Sequence, residues 1–84
     1  MAYYAAILHM LDADKNLEVR PRHIEYLDEL DQKGKIFARG PFSDGSGGLV
    51  IYQADSYEEA RQMAENDPHV VEQSRRLELK EWII

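Results

Sequence analysis

Two stretches of this chain are apolar at almost every position, and they restrict its possible folds more than any other feature. Residues 3 to 10 read Tyr, Tyr, Ala, Ala, Ile, Leu, His, Met, and residues 49 to 53 read Leu, Val, Ile, Tyr, Gln. A strand wetted on one side alternates apolar with polar residues, whereas a strand covered on both sides does not. Both runs therefore predict inner strands of a sheet that needs two covers. The rest of the chain has to supply them, or a second chain must.

Between and after these runs the signals change period. Asp12 to Asn16 carries the short polar residues of a turn. Pro21 then predicts a helix start, since its fixed φ suits position N1 and its missing N–H costs nothing there. From that start His23, Leu27 and Leu30 fall on one face at i, i+4 and i+7. Gly34, after Gln32 and Lys33, is a C′ glycine, so the helix is predicted over 21–33. Residues 35 to 39 read as a second strand stopped by Gly40 and Pro41, and the loop from Ser43 to Gly48 leads into the third as an antiparallel hairpin. The Gly45–Gly48 run lacks the spacing and lysine of a phosphate-binding loop and precedes a strand, so it reads as a hairpin loop. Ser56 and Glu59 form a capping box for a second helix, which Ala60, Met63 and Ala64 face inward and which a proline stops at Asp67. From Arg76 to Ile84 the apolar Leu77, Leu79 and Ile83 alternate with polar positions, with Glu81 breaking the apolar face.

The order strand, helix, strand, strand, helix, strand predicts a single α+β domain over 1–84, a ferredoxin-like βαββαβ fold. Its four-stranded antiparallel sheet carries both helices on one face. The other face is left bare although the inner strands are apolar there too. A homodimer is the simplest cover, and a chain this short, with a thin core, gains from one.

Charge and composition exclude several classes of partner. Sixteen acidic against ten basic residues give a formal charge of −6, which repels a phosphate backbone, and only Arg75 and Arg76 are adjacent cations. Trp82 and the tyrosines therefore read as core or dimer packing, not as base-stacking platforms, and nucleic acid is not expected. The apolar start meets His9 too soon for a signal peptide or membrane span. The absence of cysteine removes disulfides and thiolate chemistry and fits a reducing compartment, with the cytoplasm the expected location. His9, His23, His69 and Asp67 show no within-helix spacing of a two-histidine, one-carboxylate site, so no metal is expected.

Arg20-Pro21-Arg22-His23-Ile24-Glu25-Tyr26-Leu27, Gly40-Pro41, the run from Ala54 to Ala60 and Asp67-Pro68 stand in the order and spacing of the YciI-like (YCII-related) family, which the chain resembles over essentially its whole length. The resemblance implies ferredoxin-like subunits paired sheet to sheet as a dimeric α+β barrel. It also implies a histidine–aspartate dyad, carried here by His23 and Asp67. One member class is similar to a dehydrochlorinase of a chlorinated hydroxyhydroquinone, and the barrel superfamily includes lactone isomerases and small monooxygenases. The chain departs from the pattern at His69, where an aromatic residue commonly follows the Asp-Pro pair.

The residues themselves leave two roles open for the pair. The two inward helix faces bring an imidazole and a carboxylate into one region, where Asp67 either ties the helices through His23 or fixes the tautomer of a catalytic imidazole. Arg20, one turn before His23, is a substrate-binding candidate for an anion or else a solvated helix-start arginine, and Gly40 and Pro41 are the other substrate-binding candidates. With no cysteine and no serine in an elbow motif, nucleophilic catalysis lacks support and proton transfer is the remaining chemistry. The leading expectation is a small lyase or isomerase that acts on a small organic molecule without a cofactor. The alternative is a non-catalytic small-molecule-binding or structural dimer of the same fold.

Overall fold

In the computed structural model, which describes residues 2–84, the first apolar run becomes strand β1 (Ala2–Met10), and its place in the sheet accounts for its composition. It lies between β3 (Gly47–Ala54) and β4 (Arg75–Trp82), antiparallel to both, while β2 (Ile36–Pro41) is an edge strand beside β3. One face of the sheet is packed by three helices: α1 (Ala13–Gln32), α2 (Tyr57–Glu65) and the short α3 (Pro68–Val71). The expected βαββαβ order therefore holds, with one added helix.

Alternation sorts the side chains between the faces. Tyr4, Ala6 and Leu8 of β1 and Val50, Tyr52 and Ala54 of β3 are buried with Leu27 of α1 and Ala60 and Ala64 of α2. The opposite face carries Tyr3, Ala5 and Ile7, Leu49 and Ile51, and Lys80 and Trp82 from the register partners in β4. Tyr3 meets Phe37 edge to face at 4.9 Å there, yet Phe37 and Trp82 remain 52% and 42% exposed. His9 pairs with Glu78 at 2.8 Å on the same side.

Helix α1 begins eight residues before the predicted start. Asp12 is its N-cap, accepting from the Lys15 N–H at 3.0 Å, so the polar run taken for a turn is a cap and first helical turn. Pro21 lies inside the helix, where it has no N–H to donate to the Leu17 carbonyl; Leu17 is 71% exposed, so water can donate to that oxygen instead. At the other end Gly34 has φ +74°, and the bonds Lys35 N–H to Leu30 O and Gly34 N–H to Asp31 O close a Schellman motif.

Three other boundaries differ from expectation. Gly40 and Pro41 belong to β2, opposite Leu49 and Gly48, because an edge strand tolerates a residue that donates no bond. Helix α2 stops at Glu65, so Asp67 is not its last inward residue; it caps α3, with Pro68 fitting the first position of a new helix. Strand β4 ends at Trp82, opposite Tyr3, and Ile83 is exposed rather than part of an apolar face. Ser56 caps α2 by accepting from Glu59 N–H, but the Glu59 carboxylate takes Lys35 Nζ at 3.1 Å. Among the described residues no helix is long and apolar enough to cross a membrane.

A β-bulge between Ile36 and Ala38 positions the site. The extra residue shifts the alternation, so Arg39 falls opposite Val50 on the helical side and pairs with Asp28 and Asp31 of α1. The hairpin depends on Gly47, whose φ is +140° and where an added Cβ would lie 1.8 Å from the Leu8 carbonyl oxygen. Gly47→Ala should therefore destabilise the domain by more than about 2 kcal/mol. Gly45→Ala, at φ +76° with nothing within 4 Å, should cost only about 1 kcal/mol. Urea unfolding of both variants checks this, and equal losses would refute the close approach at Gly47.

Candidate functional site

Between α1 and the β2–β3 edge lies a cavity of about 260 Å³. His23 comes from the inward side of α1, the exposed Arg20 stands about one turn before it, and Gly40 and Pro41 reach the wall because the bulged edge strand runs past the helix. Four of the five residues singled out from the sequence thus share one cavity. Asp67, the fifth, sits behind His23.

His23 Nδ1 lies 2.8 Å from Asp67 Oδ1 and 2.9 Å from Oδ2. A carboxylate only accepts, so Nδ1 carries the proton and Nε2 presents a lone pair when the ring is neutral. No protein atom among the described residues bonds Nε2, and the side chain lines the cavity. Asp67 is fully buried and also accepts the His69 backbone N–H at 2.9 Å. The imidazole is thereby oriented from behind by a group that is itself fixed.

The side chains behind the imidazole are buried. Burial, and then the Asp67 charge, push the Tyr26 hydroxyl up to about 12, and that hydroxyl donates to the Met63 carbonyl at 2.7 Å. The same two causes push Tyr52 upward. His69 packs against His23 with ring centroids 4.3 Å apart and the rings tilted by 40°. Its Nδ1 is 2.7 Å from Ser74 Oγ, while Nε2 is buried with no partner among the described residues. His9, on the opposite sheet face, takes no part.

The YCII-related domain family matches residues 1–83. The chain belongs to that family. It is also 39% identical over 80 residues to an uncharacterized protein, YjpA, of Bacillus subtilis strain 168, covering 95% of this chain and 94% of that one. Among solved structures the YCII-related fold recurs in the 5-chloro-2-hydroxyhydroquinone dehydrochlorinase TftG of Burkholderia phenoliruptrix AC1100, determined in complex with 2,5-dihydroxybenzoquinone. The TM-score is 0.81 at 22% identity, with 96% of this chain and 93% of the other covered, a likeness of fold.

Sequence reasoning missed Arg75 and Asn16 in this YCII-related domain. Arg75 was noted only as one of two adjacent cations, yet it is 8% exposed, lines the cavity and donates through Nε to Asn16 Oδ1 at 2.8 Å. No local pattern marks that contact, which joins residues 59 positions apart. The scattered arginines at 20, 39 and 75 also converge here, a clustering that their sequence spacing hides.

His69 should make stability depend on acid. Burial first, then His23 and Arg75, push its imidazole down to about 4, with Asp67 opposing and Arg20 adding a little. The unfolded chain thus takes up a proton that the folded one refuses. The resulting stability is fully present above about pH 6.5 and is lost as pH falls toward 4, by up to about 1.4 kcal/mol per pH unit. His69→Phe should flatten the stability profile between pH 4 and 6.5 in denaturant titrations. An unchanged slope would show that His69 is not the group responsible.

Proposed function

We propose that this YCII-related protein is a small lyase or isomerase in which His23 moves a proton on a small organic molecule and Asp67 positions the imidazole. One observation carries the reading: His23 Nδ1 is committed to a buried carboxylate while the side chain lines a cavity and, among the described residues, Nε2 has no partner. Asp67 holds Nδ1 as the donor, so the neutral ring accepts at Nε2 and, once charged, donates from it. That is acid–base chemistry, worth about 10²- to 10⁴-fold, and it needs no cofactor. In a lyase, Nε2 takes a proton from carbon as the electron pair left behind expels an anion such as chloride. In an isomerase, it returns the proton to another carbon. The dehydrochlorinase of the same fold supports screening hydroxylated and halogenated rings first, with lactones second.

Asp67→Asn should turn the ring over, because the amide can offer an N–H to Nδ1 and so favours the tautomer with Nε2 protonated. Turnover should fall about 10²- to 10⁴-fold. His23→Gln should lose turnover while binding the ligand with similar affinity. Equal turnover by native protein and His23→Gln on an accepted substrate would end the case for His23. Loss of stability in Asp67→Asn without loss of turnover would leave the pair as a tie between helices.

The reading includes a homodimer formed through the open sheet face. Tyr3, Phe37, Ile7, Leu49 and Trp82 are supplied there by strands that no helix covers. Sedimentation at micromolar concentration should give about twice 9.8 kDa. A folded species of single mass would refute the pairing.

A further inference from the structure

An acidic chain has gathered three arginines around one cavity, and among the described residues only one of the three is ion-paired. Arg39 meets Asp28 and Asp31. Among the described residues neither Arg20 nor Arg75 has a carboxylate within ion-pairing distance. For Arg20, at the cavity rim and exposed, this is ordinary. Arg75 is 8% exposed, and burying an unanswered guanidinium is costly.

The side chain is nevertheless held in place. Asn16, itself 8% exposed, accepts from Nε at 2.8 Å and so directs the two terminal nitrogens away from that anchor. Gly48 makes the room: a Cβ there would stand 3.0 Å from Nη1. The terminal nitrogens have no protein acceptor among the described residues, and the side chain forms part of the cavity wall. A fixed cation with two parallel N–H groups, which the charge of Asp67 reaches only from beyond ion-pairing distance, is shaped for an oxyanion.

We propose that Arg75, oriented by Asn16 and joined by Arg20, receives an oxygen anion of the ligand, so that the cavity selects small flat organic anions, carboxylates or enolates, over neutral molecules of the same shape. The inference rests on the reading of the His23 cavity as the ligand site and names its substrate class. A volume of about 260 Å³ is less than drug-sized ligands use, which limits the anion to about one ring. With the anion at Arg75, the ligand spans toward His23. A negative oxygen that develops as His23 removes a proton would be stabilised by the same cation.

Benzoate and benzamide, equal in shape and different in charge, separate charge from shape. Amide shift titrations at neutral pH should show benzoate bound at least about tenfold more tightly than benzamide by the native protein. Arg75→Gln should remove that preference while leaving benzamide binding within about threefold. Asn16→Asp, which answers the guanidinium internally without changing volume, should remove the preference too and raise thermal stability. It serves where Arg75→Gln fails to fold. A preference kept in folded Arg75→Gln or in Asn16→Asp overturns the anion clamp and leaves the cavity reading standing. Shifts that map away from His23 for both probes, or no binding of either at millimolar concentration, overturn both.

Discussion

A carboxylate with no exposed surface has to be answered from within, and the way Asp67 is answered sets how the helical layer meets the sheet. It accepts from His23 on α1 and from the backbone of His69 on α3, so one side chain joins the long helix to the junction after α2. Removing one partner of such a pair costs on the order of 3–5 kcal/mol, since the remaining charge stays buried. The bond therefore constrains the fold before it serves any chemistry. Its direction does the rest, since a carboxylate that claims Nδ1 leaves the opposite edge of the ring for whatever enters the cavity.

Charge is distributed against the average. The chain is acidic, at −6, yet the cavity beside His23 is lined by Arg20, Arg39 and Arg75. The β-bulge at Ile36–Ala38 turns Arg39 inward to be neutralised by α1, and the absence of a side chain at Gly48 admits Arg75. Local backbone irregularities thus produce a positive concavity in a negative molecule, an arrangement that raises the local concentration of anions. The neighbouring His69 stays neutral in this setting because burial and surrounding cations both oppose its protonation.

What could be seen in the sequence was whatever depends on local period and on helix ends. The double-sided apolar runs marked β1 and β3, Gly34 marked the end of α1, and the spacing of His23 with Leu27 placed the imidazole inward. Pro21 misled because proline is common at a helix start, whereas here an exposed Leu17 carbonyl tolerates it within the helix. The polar run at Asp12 fits a turn and an N-cap equally well, and only the burial of Asn16 and Val19 in the turns that follow decides between them. Asp67 was assigned to the inward face of α2, yet it reaches His23 by capping a helix of its own. Arg75 and Asn16 were invisible for a different reason: a buried polar contact between distant residues leaves no periodic trace.

The central claim is that Asp67 holds the neutral His23 ring with its proton on Nδ1, leaving Nε2 to act. Long-range proton–nitrogen correlation of the imidazoles, run on the neutral ring, reads this directly, because protonated and bare ring nitrogens resonate far apart. The account predicts that His23 shows Nδ1 protonated and Nε2 bare, the minor form of free histidine, and that Asp67→Asn reverses the assignment. A native His23 with its proton on Nε2 would contradict the account.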